Sequence, residues 1–141
     1  MLFFTYVMIL SSENKLILTV AWGEAHIELL PNIAPQHVAR MKELTRQGFF
    51  DGLAFHRADD RMVQTGDPDG TGLGGTGITL AAEFSDIAFE RGIIASARMP
   101  DDPDSADSQI FIVRTPQPQM NGLFTAWGRV VQGMELSLIH I

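Results

Sequence analysis

An arginine and a glutamine lie close together in the stretch FHRADDRMVQTGD, which runs from Phe55 to Asp67. The stretch contains neither serine nor cysteine, so it lacks an obvious nucleophile for covalent catalysis. Arg57 carries a permanently charged guanidinium fork and Gln64 a neutral amide. A second stretch, SADSQIFIV, adds Gln109 and Phe111. Such a set suits a reaction that needs no nucleophile, although each side chain alone could equally be a surface ion-pair partner or a core residue.

Two glycine-containing motifs have structural interpretations. The segment GLGGTG, Gly72–Gly77, matches the spacing GxGxxG, but a dinucleotide site also needs a parallel strand before it and a helix after it. The residues that follow, ITLAAEF, are rich in strand formers, so the motif indicates a glycine loop. DPDGTG begins like a calcium loop, yet Ile78 occupies the twelfth position, where a bidentate glutamate is needed. This segment predicts a turn.

No metal site is expected. The acidic segment DDPDSAD, residues 101–107, is typical of a solvated loop, with a weak calcium site as the alternative. The four histidines lie far apart without the spacing of metal-binding motifs. His56 is therefore interpreted as a packed, hydrogen-bonded structural residue.

Composition predicts one globular domain. Of 141 residues, 45% are hydrophobic and 19% are charged, which provides enough apolar material for a core. The 17 acidic and 10 basic residues give a formal charge of −7, which repels nucleic acid and anionic membranes. The absence of cysteine excludes disulfides and thiolate-bound zinc. We expect no nucleic-acid or membrane partner.

The first residues, MLFFTYVMIL, have about the length of the apolar region of a signal peptide. They lack a basic start and a small-residue cleavage site, and they are too short to span a bilayer. The sequence therefore predicts a cytoplasmic protein, with residues 1–14 as a leader of uncertain status and residues 15–141 as the folded domain.

Short apolar runs predict a mainly β protein. LILTV and EAHIELL form two expected strands around Gly23, and Ala25, Ile27 and Leu29 alternate with polar residues, which indicates one buried face. The later runs LAFH, RMVQ, GIIASA, QIFIV and WGRVV have no helical crossovers between them, so the strands should be mostly antiparallel in a barrel or sandwich.

One helix is well marked, within PNIAPQHVARMKELTRQGFF. Val38, Met41 and Leu44 recur at helical spacing, which predicts a buried face. Pro35 suits the first turn, and Gly48 can adopt the left-handed conformation that ends a helix.

Four segments in one consistent order resemble the cyclophilins, the peptidyl-prolyl cis-trans isomerases, especially the short bacterial type. They are GFFDGLAFHR, QTGDPDGTGLGG, SADSQIFIV and GRVVQGME, and the resemblance extends from about Leu16 to Glu135. It implies a closed antiparallel eight-stranded barrel capped by helices, with an outer groove for Xaa-Pro peptides. It also implies a monomer that needs no cofactor and acts on proline-containing peptides and unfolded client proteins, assisting their folding.

The resemblance carries site residues over position by position. Arg57 would donate to the prolyl nitrogen and the neighbouring carbonyl, and Gln64 would bond the substrate backbone. Met62 and Phe111 would floor the proline pocket, and Ala97 with Arg98 would line the path of the preceding residues. The implied substrate-binding set is Phe55, Met62, Ala97, Arg98, Gln109, Phe111, Met120 and Phe124.

The chain departs from the family pattern in three places. The loop between Arg57 and Gln64 is one residue short, and Arg61 replaces the usual pocket phenylalanine. Ile110 takes the place of a phenylalanine and should point into the barrel. Cyclophilins continue with a helix and a last strand where this sequence ends in LSLIHI, so we expect an unpaired barrel edge and an uncovered part of the core.

Three alternative functions stay open at this stage. A non-catalytic module that binds prolyl segments would use the same groove, but it would be expected to lack the arginine. An inactive truncated fragment is suggested by the short ending. A nucleotide-binding protein rests only on the glycine loop.

Overall fold

Eight antiparallel strands form one sheet in the computed structural model, which describes residues 5–135. The spatial order is β1-β2-β3-β8-β6-β7-β5-β4, and every pairing is antiparallel. The mainly β, eight-stranded prediction is confirmed. The strands are β1 (Val7–Ser12), β2 (Lys15–Val20), β3 (Gly23–Leu29), β4 (Arg57–Ala58), β5 (Met62–Thr65), β6 (Ile93–Ser96), β7 (Ile110–Val113) and β8 (Ala126–Gln132).

The sheet curls around a mostly aliphatic interior. Ala25, Ile27 and Leu29 of β3 are buried as their alternation predicts, while the residues between them are more exposed. Ile110 also points inward, as expected. We call the following interior residues the inner cluster: Leu16, Leu18, Ala25, Ile27, Leu29, Val63, Ile94, Ile110, Ile112 and Trp127, together with the residues of β1 and of the helix that pack on them.

The predicted helix is present as α1 (Pro35–Arg46), and it packs against β1 and β8. Val38, Met41 and Leu44 are buried in the inner cluster. Gly48 has φ 71°, the left-handed conformation that lets the chain leave the helix. Within residues 5–135 this is the one α-helix. The resemblance implies several capping helices, whereas the described residues form α1 and a short 3-10 turn at Pro118–Met120.

A distant carboxylate caps the start of α1. Ala34 occupies the capping position and has no side-chain group to offer. Glu83 supplies the missing cap: its carboxylate accepts hydrogen bonds from the backbone N–H groups of Gln36 at 3.1 Å and His37 at 2.8 Å. The ring of His37 also contacts Glu83, with 2.7 Å between Nδ1 and Oε1. The long loop before β6 is thereby tied to the helix.

Strand β1 pairs with β2 over most of its length. The described part of the segment assigned as a leader thus belongs to the sheet. Tyr6 and Met8 are buried in the inner cluster. Tyr6 Oη donates to Thr65 Oγ1 at 2.8 Å, since the hydroxyl of Thr65 itself donates to a backbone carbonyl.

The barrel is less closed than the resemblance implies. β1 and β4 are the outer strands of the sheet, and within residues 5–135 the segments that precede them share one β-bridge, between Thr5 and Ala54. Gly52 N–H adds one bond to Tyr6 O at 2.8 Å. The architecture is therefore a curled half-barrel whose edges touch, because β4 has only two residues with which to pair.

Candidate active site

The sheet register places the predicted site residues in a row. Arg57 on β4 lies opposite Gln64 on β5, Gln64 lies opposite Phe111 on β7, and Phe111 lies opposite Ala95 on β6. Directly opposed residues of antiparallel strands project from the same face of a sheet. The pairing of four strands therefore brings together residues that are far apart in the sequence.

An outer groove of about 280 Å³ lies over this row. It contains eight of the ten predicted catalytic and substrate-binding residues together with one that was not predicted, Arg61. The lining is Arg57, Arg61, Met62, Gln64, Ala97, Arg98, Phe111, Met120 and Phe124. 

That lining rests on a second apolar cluster, on the opposite side of the sheet from the inner cluster. We call it the outer cluster: Met62, Phe89, Ile93, Ala95, Phe111, Val113 and Ala126. Phe124 packs on it with its ring perpendicular to that of Phe111, at 5.5 Å between centroids. Met120, which the 3-10 turn positions, packs on it as well. Aromatic and thioether side chains therefore form the floor of the groove.

Asp59 holds the guanidinium of Arg57. One carboxylate oxygen, Oδ2, accepts from Arg57 Nε at 3.3 Å and from Nη2 at 3.2 Å. The other oxygen accepts the backbone N–H groups of Arg61 at 2.8 Å and Met62 at 3.1 Å. Partial desolvation raises the pKa of Asp59, but these hydrogen bonds and the charge of Arg57 outweigh it and lower the pKa. The carboxylate is therefore ionised at neutral pH.

Gln64 connects the groove to a neighbouring pocket. Its Nε2 donates to Gln109 Oε1 at 3.0 Å, and Gln109 Nε2 donates to the carbonyl of Gly74 at 2.9 Å. The pocket has a volume of about 440 Å³ and shares Gln64, Ala97 and Arg98 with the groove. Gln109 lines this pocket and not the groove.

Arg98 is fixed at the boundary between groove and pocket. Its Nε donates to the carbonyl of Leu123 at 2.9 Å, and Nη1 donates to that of Met99 at 3.0 Å. The guanidinium carbon lies 4.9 Å from the centroid of the Phe124 ring, a cation–π contact. These contacts hold the charged guanidinium of Arg98 in a fixed position on the wall shared by the groove and the pocket.

Two predicted site residues lie outside the groove: Gln109, which lines the neighbouring pocket, and Phe55. Phe55 is only 6% exposed and packs in the inner cluster, with its ring centroid 4.9 Å from that of Tyr6, so it does not line the groove. Strand alternation would place Phe55 on the same face as Arg57, but β4 begins only at Arg57, so Phe55 lies outside the strand and does not follow its alternation. His56 is partly buried, and burial lowers its pKa, with Asp67 and Gln109 among its neighbours.

The glycine loop binds carboxylates of its own chain. The buried Asp67 accepts the backbone N–H groups of Asp69 at 2.8 Å and Gly72 at 2.5 Å. Asp107 accepts those of Thr76 at 3.0 Å and Gly77 at 2.8 Å. These four N–H groups are thus not free to bind a phosphate, and the next element after the loop is strand β6 and not a helix, which argues against a nucleotide site.

The acidic loop is also held by backbone contacts. Asp102 Oδ1 accepts the N–H of Asp104 at 2.9 Å, and Asp104 Oδ1 accepts that of Ala82 at 2.8 Å. Across residues 5–135, no three His, Cys, Asp or Glu side chains are placed so that they could share a metal ion. In the same range, no helix has the length and apolar character needed to cross a membrane.

Sequence reasoning missed Asp59 and gave Arg61 no role. The position of Asp59 in the sequence could have indicated its role. It lies two residues after Arg57, close enough for its carboxylate to reach the guanidinium. The signal for Arg61 was its replacement of an expected phenylalanine next to a groove residue. The resemblance marked Arg61 only as a departure from the family pattern and assigned no role to Asp59.

Comparison with known proteins gives a consistent result. A sequence profile described as cyclophilin type peptidyl-prolyl cis-trans isomerase/CLD matches residues 15–138. A probable peptidyl-prolyl cis-trans isomerase of Brucella suis biovar 1 (strain 1330) is 41% identical, over 87% of this chain and 69% of that protein. Peptidyl-prolyl cis-trans isomerase B of Bacillus subtilis (strain 168) is 42% identical, over 82% of this chain and 81% of that protein.

A solved structure agrees with these relatives. It is a cyclophilin type peptidyl-prolyl cis-trans isomerase of Cryptosporidium parvum, crystallised in the presence of the dipeptide Ala-Pro. The two folds superpose with a TM-score of 0.77 at 29% sequence identity, over 82% of this chain and 77% of that one.

Proposed function

Because the chain belongs to the cyclophilin-type peptidyl-prolyl cis-trans isomerase family and catalyses the cis-trans isomerisation of Xaa-Pro bonds, we propose that the outer groove is where the prolyl peptide binds and turns. The observation that carries this proposal is the row of Arg57, Gln64 and Phe111 across β4, β5 and β7. It sets a charged donor and an amide beside an aromatic floor.

The chemistry requires no nucleophile. Rotation about a peptide bond has a barrier of about 18 to 20 kcal/mol, which arises from amide resonance. An enzyme lowers it by holding the bond twisted, with the lone pair localised on the prolyl nitrogen. The guanidinium of Arg57 donates to that nitrogen and to the neighbouring carbonyl. Gln64 holds the substrate backbone, while Met62 and Phe111 grip the proline ring.

Asp59 acts as a positioning residue in this mechanism. It occupies Nε and one hydrogen of Nη2 of Arg57 and leaves Nη1 directed to other partners. Both side chains are about two-fifths exposed, so their ion pair adds little to folding stability. Its contribution is to restrict the guanidinium to fewer orientations before the substrate arrives.

The partners follow from the groove and from the charge of the chain. Proline-containing peptides and unfolded clients bind there, in support of protein folding, and the crystallisation of the Cryptosporidium relative with Ala-Pro supports this choice. We further propose that the protein is a cytoplasmic monomer, and that its net charge of −7 keeps it from binding nucleic acid or anionic membranes. We assign β1 to the same domain as residues 15–141, because it pairs with β2.

Replacing Arg57 tests the mechanism against simple peptide binding. Arg57→Ala removes a charged hydrogen bond made mainly in the transition state, worth about 1.5 to 3 kcal/mol, so kcat should fall roughly ten- to a hundredfold while the peptide Kd changes less. Arg57→Lys keeps the charge without the planar fork and should recover only part of the rate. Exchange NMR on a proline peptide measures rate and affinity in one sample.

The control is Asp59→Asn, which leaves Arg57 intact but loosens it. We expect a smaller loss of kcat than in Arg57→Ala, with little change in Kd. If Arg57→Ala exchanges the peptide as fast as the wild type, the groove is a binding site only and the assigned role of Arg57 is wrong.

A further inference from the structure

The groove concentrates positive charge. Arg57, Arg61 and Arg98 line it, and none of the acidic residues between 5 and 135 does, although Asp59 pairs with Arg57 from beside the groove. The chain as a whole carries a net charge of −7, so the positive charge of the groove is opposite in sign to that of the whole protein. Like charges gathered in one cleft repel each other, and they also raise the local concentration of anionic ligands.

The three guanidinium groups differ in how they are held. Asp59 binds that of Arg57, and backbone carbonyls bind that of Arg98. For Arg61, no hydrogen bond or ion pair from any residue between 5 and 135 reaches the guanidinium. Its backbone is nevertheless fixed, since its N–H donates to Asp59 and its carbonyl accepts the N–H of Arg114 at 2.7 Å. Arg61 is thus an exposed cation on an anchored backbone.

Arg61 also has a defined position along the groove. The neighbouring pocket shares Gln64, Ala97 and Arg98 with the groove, whereas Arg61 lines the groove alone. In the proposed binding mode, the residues before proline contact Ala97 and Arg98. The rest of the peptide then runs along the groove away from this shared wall. On this path the residue after proline lies on the side of the groove that Arg61 lines.

We propose that Arg61 is a specificity-determining residue that selects substrates with a carboxylate side chain directly after proline, Pro-Asp or Pro-Glu. This rests on the proposed peptide path through the groove. A carboxylate matches the planar fork of arginine and can accept two parallel hydrogen bonds from it. The contact lies at the exposed rim, so the preference should be about two- to fivefold, the range of exposed ion pairs.

The test compares three peptides that differ only around proline: Ala-Ala-Pro-Glu, Ala-Ala-Pro-Gln and Ala-Glu-Pro-Gln, each with blocked ends. Exchange NMR gives the isomerisation rate and a titration gives Kd for each. The wild type should favour Pro-Glu over Pro-Gln by about two- to fivefold in kcat/KM and in affinity. Raising the salt to 1 M, where the screening length is about 3 Å, should shrink the ratio.

Arg61→Gln should bring the Pro-Glu to Pro-Gln ratio to about one, and Arg61→Glu should reverse it. Arg46→Gln removes the same charge from the exposed end of α1 and should leave both the ratio and the rates unchanged. Equal values for the two peptides in the wild type, or a preference that survives Arg61→Gln, would overturn the proposal. A larger gain from the acid placed before proline would overturn the assigned position.

These outcomes stay separate from the proposed function. If no peptide is isomerised, the proposed catalysis fails, and the ratio of the two Kd values still decides the role of Arg61. If all peptides are isomerised at equal rates with equal Kd values, catalysis stands and the selectivity fails.

Discussion

The inner and outer clusters lie on opposite faces of the same strands and differ in composition. β7 contributes Ile110 and Ile112 to the inner cluster and Phe111 and Val113 to the outer one. The inner side is dominated by aliphatic residues that fill the curled sheet. Around the outer cluster, three phenylalanines and two methionines meet beneath the groove.

This difference separates the requirements of folding from those of binding. Branched aliphatic side chains pack densely with few rotamers, which suits an interior that stays closed. Flat rings and flexible thioethers offer a surface on which a proline ring can rest. Both sets are buried in the described structure, so burial alone does not distinguish them.

The largest expected effect lies in the inner cluster. Ile112 is fully buried, and Ile112→Ala should lower the free energy of unfolding by about 2 to 5 kcal/mol. Because the side chain points away from the groove, the folded fraction should keep its kcat. Urea unfolding and exchange NMR on the same sample check both statements. A loss of kcat in fully folded protein would show that the two clusters are coupled.

A substitution in the outer cluster should destabilise the fold less than Ile112→Ala does, but it should weaken peptide binding more. Phe111→Leu keeps an apolar side chain but removes the ring that packs against Phe124. Such ring contacts are worth about 0.5 to 1.5 kcal/mol, and the same ring forms the proposed floor for proline. Peptide affinity should fall up to about tenfold, measured by titration. Unchanged affinity would remove Phe111 from the binding site.

Acid should weaken the inner region before it affects the groove. Burial lowers the pKa of His37, so its contribution to stability is present above about pH 6.5 and is lost as the pH falls through its folded pKa. Desolvation raises the pKa of Glu83, but its bonds to His37 and Gln36 outweigh this and lower it. Its contribution is therefore present above about pH 4.5 and is lost as the pH falls through its folded pKa.

Melting temperatures between pH 4 and 8 measure this dependence. His37→Gln should flatten the upper part of the profile, while His26→Gln, which removes an imidazole from β3, serves as the control. Isomerisation should stay nearly constant from pH 6 to 9, because the mechanism invokes no proton transfer. A bell-shaped rate profile would contradict the proposed roles of Arg57 and Gln64.

Local sequence patterns were sufficient to predict the elements that have one buried and one exposed face. Helix α1 and strand β3 could be predicted because each alternates buried and exposed residues at its own period. The groove residues Met62, Ala97 and Phe111 could be located only through the resemblance, because β5, β6 and β7 are buried at nearly every position and show no alternation of buried and exposed residues.

Two features depend on long-range contacts that local patterns do not encode. Glu83 caps α1 from a distant loop, while the capping position itself, Ala34, carries no signal. β1 was assigned to a leader because its apolar run resembled a targeting segment. The turn residues Glu13 and Asn14 between two strand-like runs were the overlooked sign of a hairpin.

That hairpin also affects the order in which the chain can fold during synthesis. β1, β2 and β3 are neighbours in both sequence and sheet, so their contact order is low and they can pair within about 1 to 10 μs of leaving the ribosome. The other edge of β3 pairs with β8, whose residues arrive roughly 5 to 20 s later at about 5 to 20 residues per second. During that interval the nascent chain presents an open strand edge. Glu24 and Glu28 on β3 carry charges that discourage another chain from adding to it.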